Sequence, residues 1–294
     1  MEHSRLPIEV CELVIDFCVV TALHLRSPRF STFNQFARFI LSFSSLSHLT
    51  IRNLAWNVRG RHSHTIHQRK RVESFTLKSL SLRQFDHPLS ADVFTDVTKF
   101  MMATSIKTTC EVLDLRLPGD AKGAAKAEEA AGQLVASCGS VLKELAVEYS
   151  HIVSSTASIN LDQNTHLRRL TLNSNLLATH LQYLNTLCSK VITTITLRTP
   201  YQLGFTGNPS IKPLEAALSR SVFDTLQQVA LDIHTGDIKQ LPKLHARGIL
   251  VASLGTKSSA PTAAHNNTGA TDTAASDGNN SEDSEDYDLL LDAE

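Results

Sequence analysis

The chain has 294 residues, 42% of them hydrophobic, and a formal net charge of −1 at pH 7. This length is enough for one elongated domain or two small ones, and the sequence contains no apolar run of 18 residues that would be expected to span a membrane. The charge is unevenly divided, since residues 256–294 carry nine Asp and Glu against one Lys, whereas residues 1–255 carry 27 Lys and Arg against 20 Asp and Glu. A body that is only mildly basic argues against nucleic-acid binding.

The five cysteines favour a reducing compartment. Their number is odd, no C-x-x-C motif occurs, and each lies among apolar neighbours in the sequence. We therefore expect reduced, buried thiols in an intracellular protein of the cytoplasm or the nucleus. The acidic residues Glu9, Glu12 and Asp16 do not fit the apolar segment of a secretory leader, which supports the same location. The cysteines are Cys11, Cys18, Cys110, Cys138 and Cys188.

The first predicted element is a helix over residues 6–18. Pro7 suits the first helical position, where the missing N–H has no partner to lose. The residues at positions i, i+3, i+4 and i+7 give this helix one apolar face, formed by Cys11, Val14, Ile15 and Cys18.

A six-residue phrase, L-x-x-L-x-L or a close relative, then recurs eight times at intervals of 25 to 34 residues. Its two-residue period is typical of a short strand with one buried face. A strand that recurs at this interval is typical of a leucine-rich repeat, in which neighbouring units stack because no unit buries its own apolar face. The phrases begin at Val20, Leu46, Leu77, Cys110, Leu142, Leu167, Ile192 and Leu226.

Helical patterns lie between the phrases. The pattern over residues 31–43 is capped by Ser31 or Thr32, and we expect its aromatic stripe to be core. The two shortest intervals, of 25 residues, leave room only for a short helix or a loop. A last strand is predicted over residues 249–254. The later predicted helices are Ser90–Ile106, Ala121–Ser137, Thr179–Cys188, Pro213–Phe223 and the shorter Leu241–Ala246.

Together these patterns predict an α/β leucine-rich-repeat solenoid, with a curved parallel sheet and crossover helices, over residues 20–255. Residues 1–19 form an N-terminal helical cap in this interpretation. Residues 56–71 read as an exposed basic loop. The tail, 256–294, is rich in small polar and acidic residues and cannot offset the entropy of ordering, so we expect it to be disordered.

Two stretches resemble a known family. Residues 6–16, LPIEVCELVID, resemble the first helix of an F-box, and residues 28–56 resemble the first repeats of the large fungal F-box and leucine-rich-repeat families. The resemblance implies that the repeats select a protein for ubiquitination, while the F-box binds the Skp adaptor of a Skp–cullin–F-box ubiquitin ligase. The residues that match the adaptor-binding helix are Leu6, Pro7, Ile8, Val10, Val14 and Ile15.

The sequence departs from the family pattern after Asp16, where a second and a third F-box helix would follow. Here the chain passes directly into the first repeat phrase at Val20. Two interpretations of residues 6–18 therefore stay open, namely an adaptor-binding helix and an amphipathic helix that covers the open apolar end of the solenoid.

The residue that follows each phrase forms a second pattern. If the apolar phrase residues point inward, these residues line the concave face in one column, with strands about 4.8 Å apart. Four consecutive arginines lie in this column, and Arg198 follows later, while Asp114 and Glu148 partly neutralise the charge. The column members are Arg26, Arg52, Arg83, Arg116, Glu148, Asn173, Arg198 and Asp232.

Two interpretations of this column also stay open. Arginine is common at solvated strand ends, so the column is consistent with an ordinary surface. Alternatively, because like charges so close repel, the column binds an acidic segment of another protein, with the chain's own residues 282–294 as an intramolecular competitor.

Motifs for enzymatic chemistry are missing from the sequence. It contains no G-x-S-x-G, no P-loop and no G-x-G-x-x-G. His62, His64 and His67 have a spacing that reaches one metal ion, but no nearby Cys, Asp or Glu completes the ligand set and several arginines flank them. We therefore expect no cofactor, no metal and no enzymatic activity.

The favoured function is protein–protein recognition by a monomer, as a variant F-box substrate receptor. A stand-alone repeat scaffold is the first alternative, and nucleic-acid binding by the basic face is the less favoured one.

Overall fold

A computed structural model describes residues 20–56, 75–83, 90–118, 123–149, 159–174, 176–198, 211–232 and 241–252. The chain divides into a unit of residues 1–255 and a unit of residues 256–294, and only the first unit contains described residues. The predicted N-terminal helix, the basic loop after Trp56 and the acidic tail lie outside the described residues.

In the described part of the chain, nine strands form one parallel sheet and two short strands form a second. The nine strands lie side by side in the order in which they occur along the chain, without a reversal. The strands are β1 (Ala22–Arg26), β2 (Arg29–Phe30), β3 (His48–Arg52), β4 (Ala55–Trp56), β5 (Ser79–Arg83), β6 (Val112–Leu117), β7 (Glu144–Tyr149), β8 (Arg169–Asn173), β9 (Thr194–Arg198), β10 (Gln228–Asp232) and β11 (Leu250–Ala252).

The strands pair so that equivalent phrase residues lie opposite each other. Leu49 pairs with Leu80, and Leu80 pairs with Leu113, so the fourth residue of each phrase forms one column, and the sixth residue forms another. From β3 to β10 these residues are at most 3% exposed. The predicted large parallel sheet with helical crossovers is therefore confirmed, because the two-residue period directs both columns to the same, buried face.

Backbone hydrogen bonds repeat in the same way at the start of the strands. The carbonyl of Thr21 accepts hydrogen bonds from two successive amides of the next repeat, Ser47 N and His48 N. The same arrangement occurs at seven successive steps, with distances between 2.7 and 3.1 Å. Each carbonyl thus fixes the register of the following strand. The acceptors are Thr21, Ser47, Lys78, Glu111, Lys143, Arg168 and Thr193.

Helices of unequal length connect the described strands. Their bounds are α1 (Phe33–Leu41), α2 (Ser90–Ala103), α3 (Ile106–Thr109), α4 (Ala124–Cys138), α5 (Leu177–Thr186), α6 (Lys212–Leu218) and α7 (Pro242–Ala246), with short 3₁₀ turns at Gly139–Val141 and Ser221–Phe223. The helix predicted over residues 90–106 is interrupted, because Thr104 Oγ1 donates to Met101 O at 2.6 Å and accepts from Ile106 N at 3.3 Å. A side chain that bonds its own backbone in this way ends the first helix.

Aromatic side chains fill the core beneath the first strands, as predicted. Thr32 caps α1 by accepting a hydrogen bond from Gln35 N at 3.3 Å. The ring of Phe33 meets the ring of Trp56 edge to face, with centroids 5.7 Å apart, and Phe33, Phe36 and Trp56 are all buried. Such contacts add to the stabilisation from burial alone.

Hydrogen bonds from polar side chains link successive repeats. Thr109, Ser189 and Thr225 each donate a hydroxyl hydrogen bond, at 2.7 to 3.0 Å, to the carbonyl of the first phrase residue of the preceding repeat. The fully buried Asn164 donates to Val135 O and Gly139 O at 3.1 and 3.0 Å, which closes the end of α4. These side chains supply hydrogen-bond donors to backbone carbonyls at the start of the repeat phrases and at the end of α4.

Two further features differ from the sequence expectation. The strands β2 and β4 were not predicted; they follow Ser27 and Asn53, whose positive φ angles of 52° and 54° turn the chain away from the main sheet. Cys110 and Cys138 are buried free thiols, but Cys188 is exposed, so the expectation of burial is wrong for that residue. Cys188 lies just beyond the end of α5, where apolar sequence neighbours do not ensure burial.

The buried columns predict how stability depends on position. Replacing Leu115, which is fully buried between Leu82 and Val147, with Ala should lower the free energy of unfolding by roughly 2–5 kcal/mol. The matched change Leu23→Ala, in the edge strand β1 where Leu23 is only partly buried, should cost about half as much or less. Urea denaturation followed by circular dichroism measures both, and equal losses would contradict the placement of β1 at the edge.

Candidate functional site

The open face of the main sheet carries the residues that alternate with the buried columns. Its middle column is made of polar and small residues, all exposed or partly exposed, namely His24, Thr50, Ser81, Asp114, Ala146, Thr171, Thr196 and Ala230. The column expected from the sequence, one residue after each phrase, lies beside it. We call this column, from Arg26 to Asp232, the arginine column.

The register brings the members of the arginine column together. Arg26 pairs with Arg52, and Arg52 with Arg83. Further along the sheet, Arg116 pairs with Glu148, and the column continues through Asn173 and Arg198 to Asp232. The predicted alignment of these residues therefore exists in the structure, whereas their role in binding stays a prediction.

Asp114 neutralises the third arginine of the column. Its Oδ2 lies 2.5 Å from Arg83 Nη2 and accepts hydrogen bonds from Arg83 Nε at 2.7 Å and Ser81 Oγ at 3.0 Å. Two nitrogens of the Arg83 guanidinium, Nε and Nη2, therefore contact the same carboxylate oxygen, which is a strong, charge-assisted arrangement. Asp114 thus belongs to the open face, as expected, but it fixes Arg83 in place.

Other basic residues of this face also have a carboxylate one strand away. Arg116 Nε lies 3.6 Å from Glu148, and Arg169 forms an ion pair with Glu144. Lys143, which precedes β7, lies 2.8 Å from Glu111 and lowers the pKa of that carboxyl through their hydrogen bond. Arg26, Arg52 and Arg198 are exposed, and no carboxylate partner for them occurs among the described residues.

The structure does not describe the remaining candidate residues of the sequence. The adaptor-binding residues expected in the segment 6–15 and the histidines His62, His64 and His67 lie outside the described residues. Within the part of the chain that the structure describes, no three His, Cys, Asp or Glu side chains are grouped to hold a metal ion.

A buried polar network lies on the helix side of the sheet and was missed by sequence reasoning. Tyr149 Oη donates to Glu128 Oε1 at 2.9 Å, and its oxygen lies 2.7 Å from Tyr183 Oη, which therefore donates to it. Burial is the main cause that raises the pKa of both phenols, and for Tyr149 the neighbouring Tyr183 and then Glu128 raise it further, so both phenols stay protonated at physiological pH. The three residues, from α4, β7 and α5, act as hydrogen-bonding ties between repeats rather than as a proton-transfer site. Their spacing along the sequence gives no signal for this contact.

His180 is a second buried polar residue that the sequence does not single out. It lies on α5, is 1% exposed, and its Nε2 atom has no hydrogen-bond partner. Burial lowers the pKa of His180 to about 4, so the imidazole is neutral in the folded protein.

Comparisons with known proteins add no family to these observations. No protein-family model matches the chain, and no curated protein matches its sequence. Among the described residues, no helix has the length and apolar character needed to cross a membrane.

The ion pair between Asp114 and Arg83 gives a stability prediction. Asp114→Asn removes the charge that holds Arg83 and should lower the free energy of unfolding by about 1 kcal/mol at low salt, and by less in 1 M NaCl. Glu111→Gln, in the more exposed pair with Lys143, should leave the denaturation midpoint unchanged and serves as the control. Equal effects of both changes would mean that the Asp114 contacts contribute nothing beyond a surface ion pair.

His180 gives a prediction for pH. The folded pKa of about 4 lies below the unfolded value of about 6.5, so below pH 6.5 the unfolded chain binds a proton that the folded chain does not. The free energy of unfolding should therefore fall by about 3 kcal/mol between pH 6.5 and pH 4, and this contribution should level off below pH 4. His180→Leu should remove this component of the pH dependence, whereas His166→Gln, at an exposed site, should retain it. Denaturation curves at a series of pH values provide the test.

Proposed function

We propose that residues 20–255 form a leucine-rich-repeat solenoid that recognises another protein on the open face of its sheet. The observation that carries the proposal is the sequential order of nine parallel strands in one register, with a helix or a loop between neighbours. This order suits an array in which each unit contacts only the next, rather than a doubly wound sheet, whose ligand site needs a reversal of strand order. A long face of exposed side chains suits the binding of an extended surface.

The chemistry of the open face supports binding rather than catalysis. Apart from His24, its middle column consists of short side chains, and the arginine column beside it supplies positive charge on the first strands. The complementary partner is a protein with an acidic surface or segment, because charge complementarity selects the partner and accelerates its association. Arg26, Arg52 and Arg198, with the paired Arg83, Arg116 and Asp114, are the proposed contacts.

We further propose that the chain is a variant F-box substrate receptor, in which residues 6–15 bind a Skp-type adaptor. The resemblance of the segment LPIEVCELVID to a first F-box helix supports this role. One structural observation favours the alternative, a scaffold whose residues 6–18 only cover the end of the repeats. Leu23 and Leu25 of β1 are partly buried, whereas their equivalents in β3 to β10 are at most 3% exposed, and such an end requires a cover.

Co-purification with a Skp-type adaptor from the same organism tests the adaptor role. The full chain should retain the adaptor, and Leu6→Glu should abolish retention, because it places a charge in the proposed contact. Ser4→Glu introduces the same charge two residues earlier, outside the matched segment, and should retain binding. If the folded full chain does not retain the adaptor, the receptor role is wrong and the scaffold alternative stands.

A further inference from the structure

The thiols of Cys110 and Cys138 form a buried pair within one repeat. Cys110 begins the repeat phrase between α3 and β6, and Cys138 is the last residue of α4. Their side chains are 0% and 1% exposed, and the two thiols are hydrogen-bonded to each other. The contact follows from the fold, because β6 and β7 are parallel and the chain must return through α4 to the side of the sheet where both strands begin.

Both cysteines lie where an element ends, so their backbones have room to adjust. Cys110 follows the last residue of α3, and Cys138 is followed by Gly139, which has a positive φ of 50° and open space where a side chain would begin. A disulfide places its sulfur atoms about 2.05 Å apart, so the two sulfurs must move from hydrogen-bonding contact to bonding distance. Neither cysteine belongs to a strand pair, and this shift therefore leaves the sheet register intact.

The two thiols differ in how easily they ionise. The single thiol proton of Cys110 has two acceptors, Val112 O at 3.4 Å and the sulfur of Cys138. The hydrogen bond to Cys138, together with burial, raises the pKa of Cys110. The same hydrogen bond lowers the pKa of Cys138, against the opposing effect of burial. Cys138 is therefore the sulfur that becomes a thiolate, which is the form that reacts with oxidants.

We propose that Cys110 and Cys138 are the site of a reversible disulfide, formed by hydrogen peroxide, that links the end of α4 to the start of β6. The Cys138 thiolate attacks one peroxide oxygen, the O–O bond breaks, and the departing hydroxide takes the proton lost by Cys138 and leaves as water. The sulfur of Cys110 then attacks the resulting sulfenic acid, the S–S bond forms, and the S–O bond breaks. The second hydroxide leaves as water with the proton of Cys110. Two thiols thus lose two electrons, and one peroxide becomes two waters.

The depth of the pair selects the oxidant. Both sulfurs are buried, but Ser140, two residues beyond Cys138, is exposed, so the pair lies just beneath the surface. Hydrogen peroxide is small and uncharged and suits such a position, whereas a bulky, charged disulfide such as oxidised glutathione does not. Cys188 is exposed and serves as an internal reference that both oxidants reach. The inference concerns the helix side of the sheet and does not depend on the proposed function.

Peptide mass spectrometry of the full chain tests the site. The reduced protein is treated with hydrogen peroxide, free thiols are blocked with N-ethylmaleimide in urea, and trypsin releases Cys110 in residues 108–116 and Cys138 in residues 127–143. These two peptides should appear as one linked species, which dithiothreitol separates again. Oxidised glutathione should modify Cys188 and leave the pair reduced. A chain that is unfolded in urea before oxidation should show no preference for this link among its five cysteines.

Matched variants separate the roles of the two sulfurs. Cys110→Ala and Cys138→Ala should both abolish the link. In Cys110→Ala, dimedone should trap Cys138 as a sulfenic acid, whereas in Cys138→Ala the thiol of Cys110 should stay reduced. Cys188→Ser should form the link as the original chain does. Circular dichroism verifies that each reduced variant is folded, and the original chain alone still decides the test if a core variant does not fold.

The link should also stabilise the folded protein. It closes the chain between residues 110 and 138 and so restricts the unfolded state, and peroxide treatment should raise the thermal unfolding midpoint of Cys188→Ser by about 5 °C. Cys110→Ala, treated in the same way, should show no rise. Because both variants contain the same methionines, this comparison separates the effect of the disulfide from that of methionine oxidation.

Each outcome supports or overturns the proposal. A linked species that forms in the folded chain, that dithiothreitol reverses and that Cys110→Ala and Cys138→Ala lose supports it. The disulfide site is wrong if both cysteines stay reduced while Cys188 is oxidised, or if the unfolded chain forms the link equally well. An unchanged unfolding midpoint after the link has formed overturns its stabilising role. The adaptor experiment involves neither cysteine, so the receptor role succeeds or fails independently.

Discussion

The register between successive strands is the constraint on which the rest of the structure depends. Each carbonyl that accepts two amides of the next repeat, as Thr21 accepts from Ser47 and His48, sets the following strand in position without a shift. A slip by one residue would turn the buried leucines outward. Because the register holds over the described strands, short phrases that bury little on their own form one continuous apolar layer.

On the open face, the same register brings side chains of like charge close together. Equivalent positions stack at the spacing of the strands, so a residue type that recurs after each phrase is placed next to its own copies. Later strands place carboxylates one strand away, such as Asp114 for Arg83 and Glu148 for Arg116. The strands β1, β3 and β5 contain no Asp or Glu, so Arg26 and Arg52 have no carboxylate in a neighbouring strand. Among the described residues, Arg26, Arg52 and Arg198 are therefore the exposed arginines of the column without a carboxylate partner.

On the helix side of the sheet, the connections between strands differ in length, so no single contact can repeat from one connection to the next. Hydrogen bonds of individual side chains stabilise these connections instead. They include the bonds of Asn164 at the end of α4 and those that join Glu128, Tyr149 and Tyr183. Hydrogen bonds between buried groups fix one arrangement of the elements. His180 contributes no such bond through Nε2, and its lowered pKa destabilises the folded protein at acidic pH.

The sequence by itself determined the nine described strands of the main sheet, their common buried face and the alignment of the arginine column. These features follow from a two-residue period within a repeated phrase. Because this pattern is local, it does not depend on contacts between residues far apart in the sequence. Only the tertiary structure decided that Asp114 pairs with Arg83, while no carboxylate among the described residues pairs with Arg26 or Arg52, and that Tyr149 contacts Glu128 and Tyr183. It also decided the break between α2 and α3 and the exposure of Cys188. Most of these outcomes depend on side chains that are far apart in the sequence, 21 and 34 residues for the two contacts of Tyr149, and spacing along the chain does not encode which of them touch.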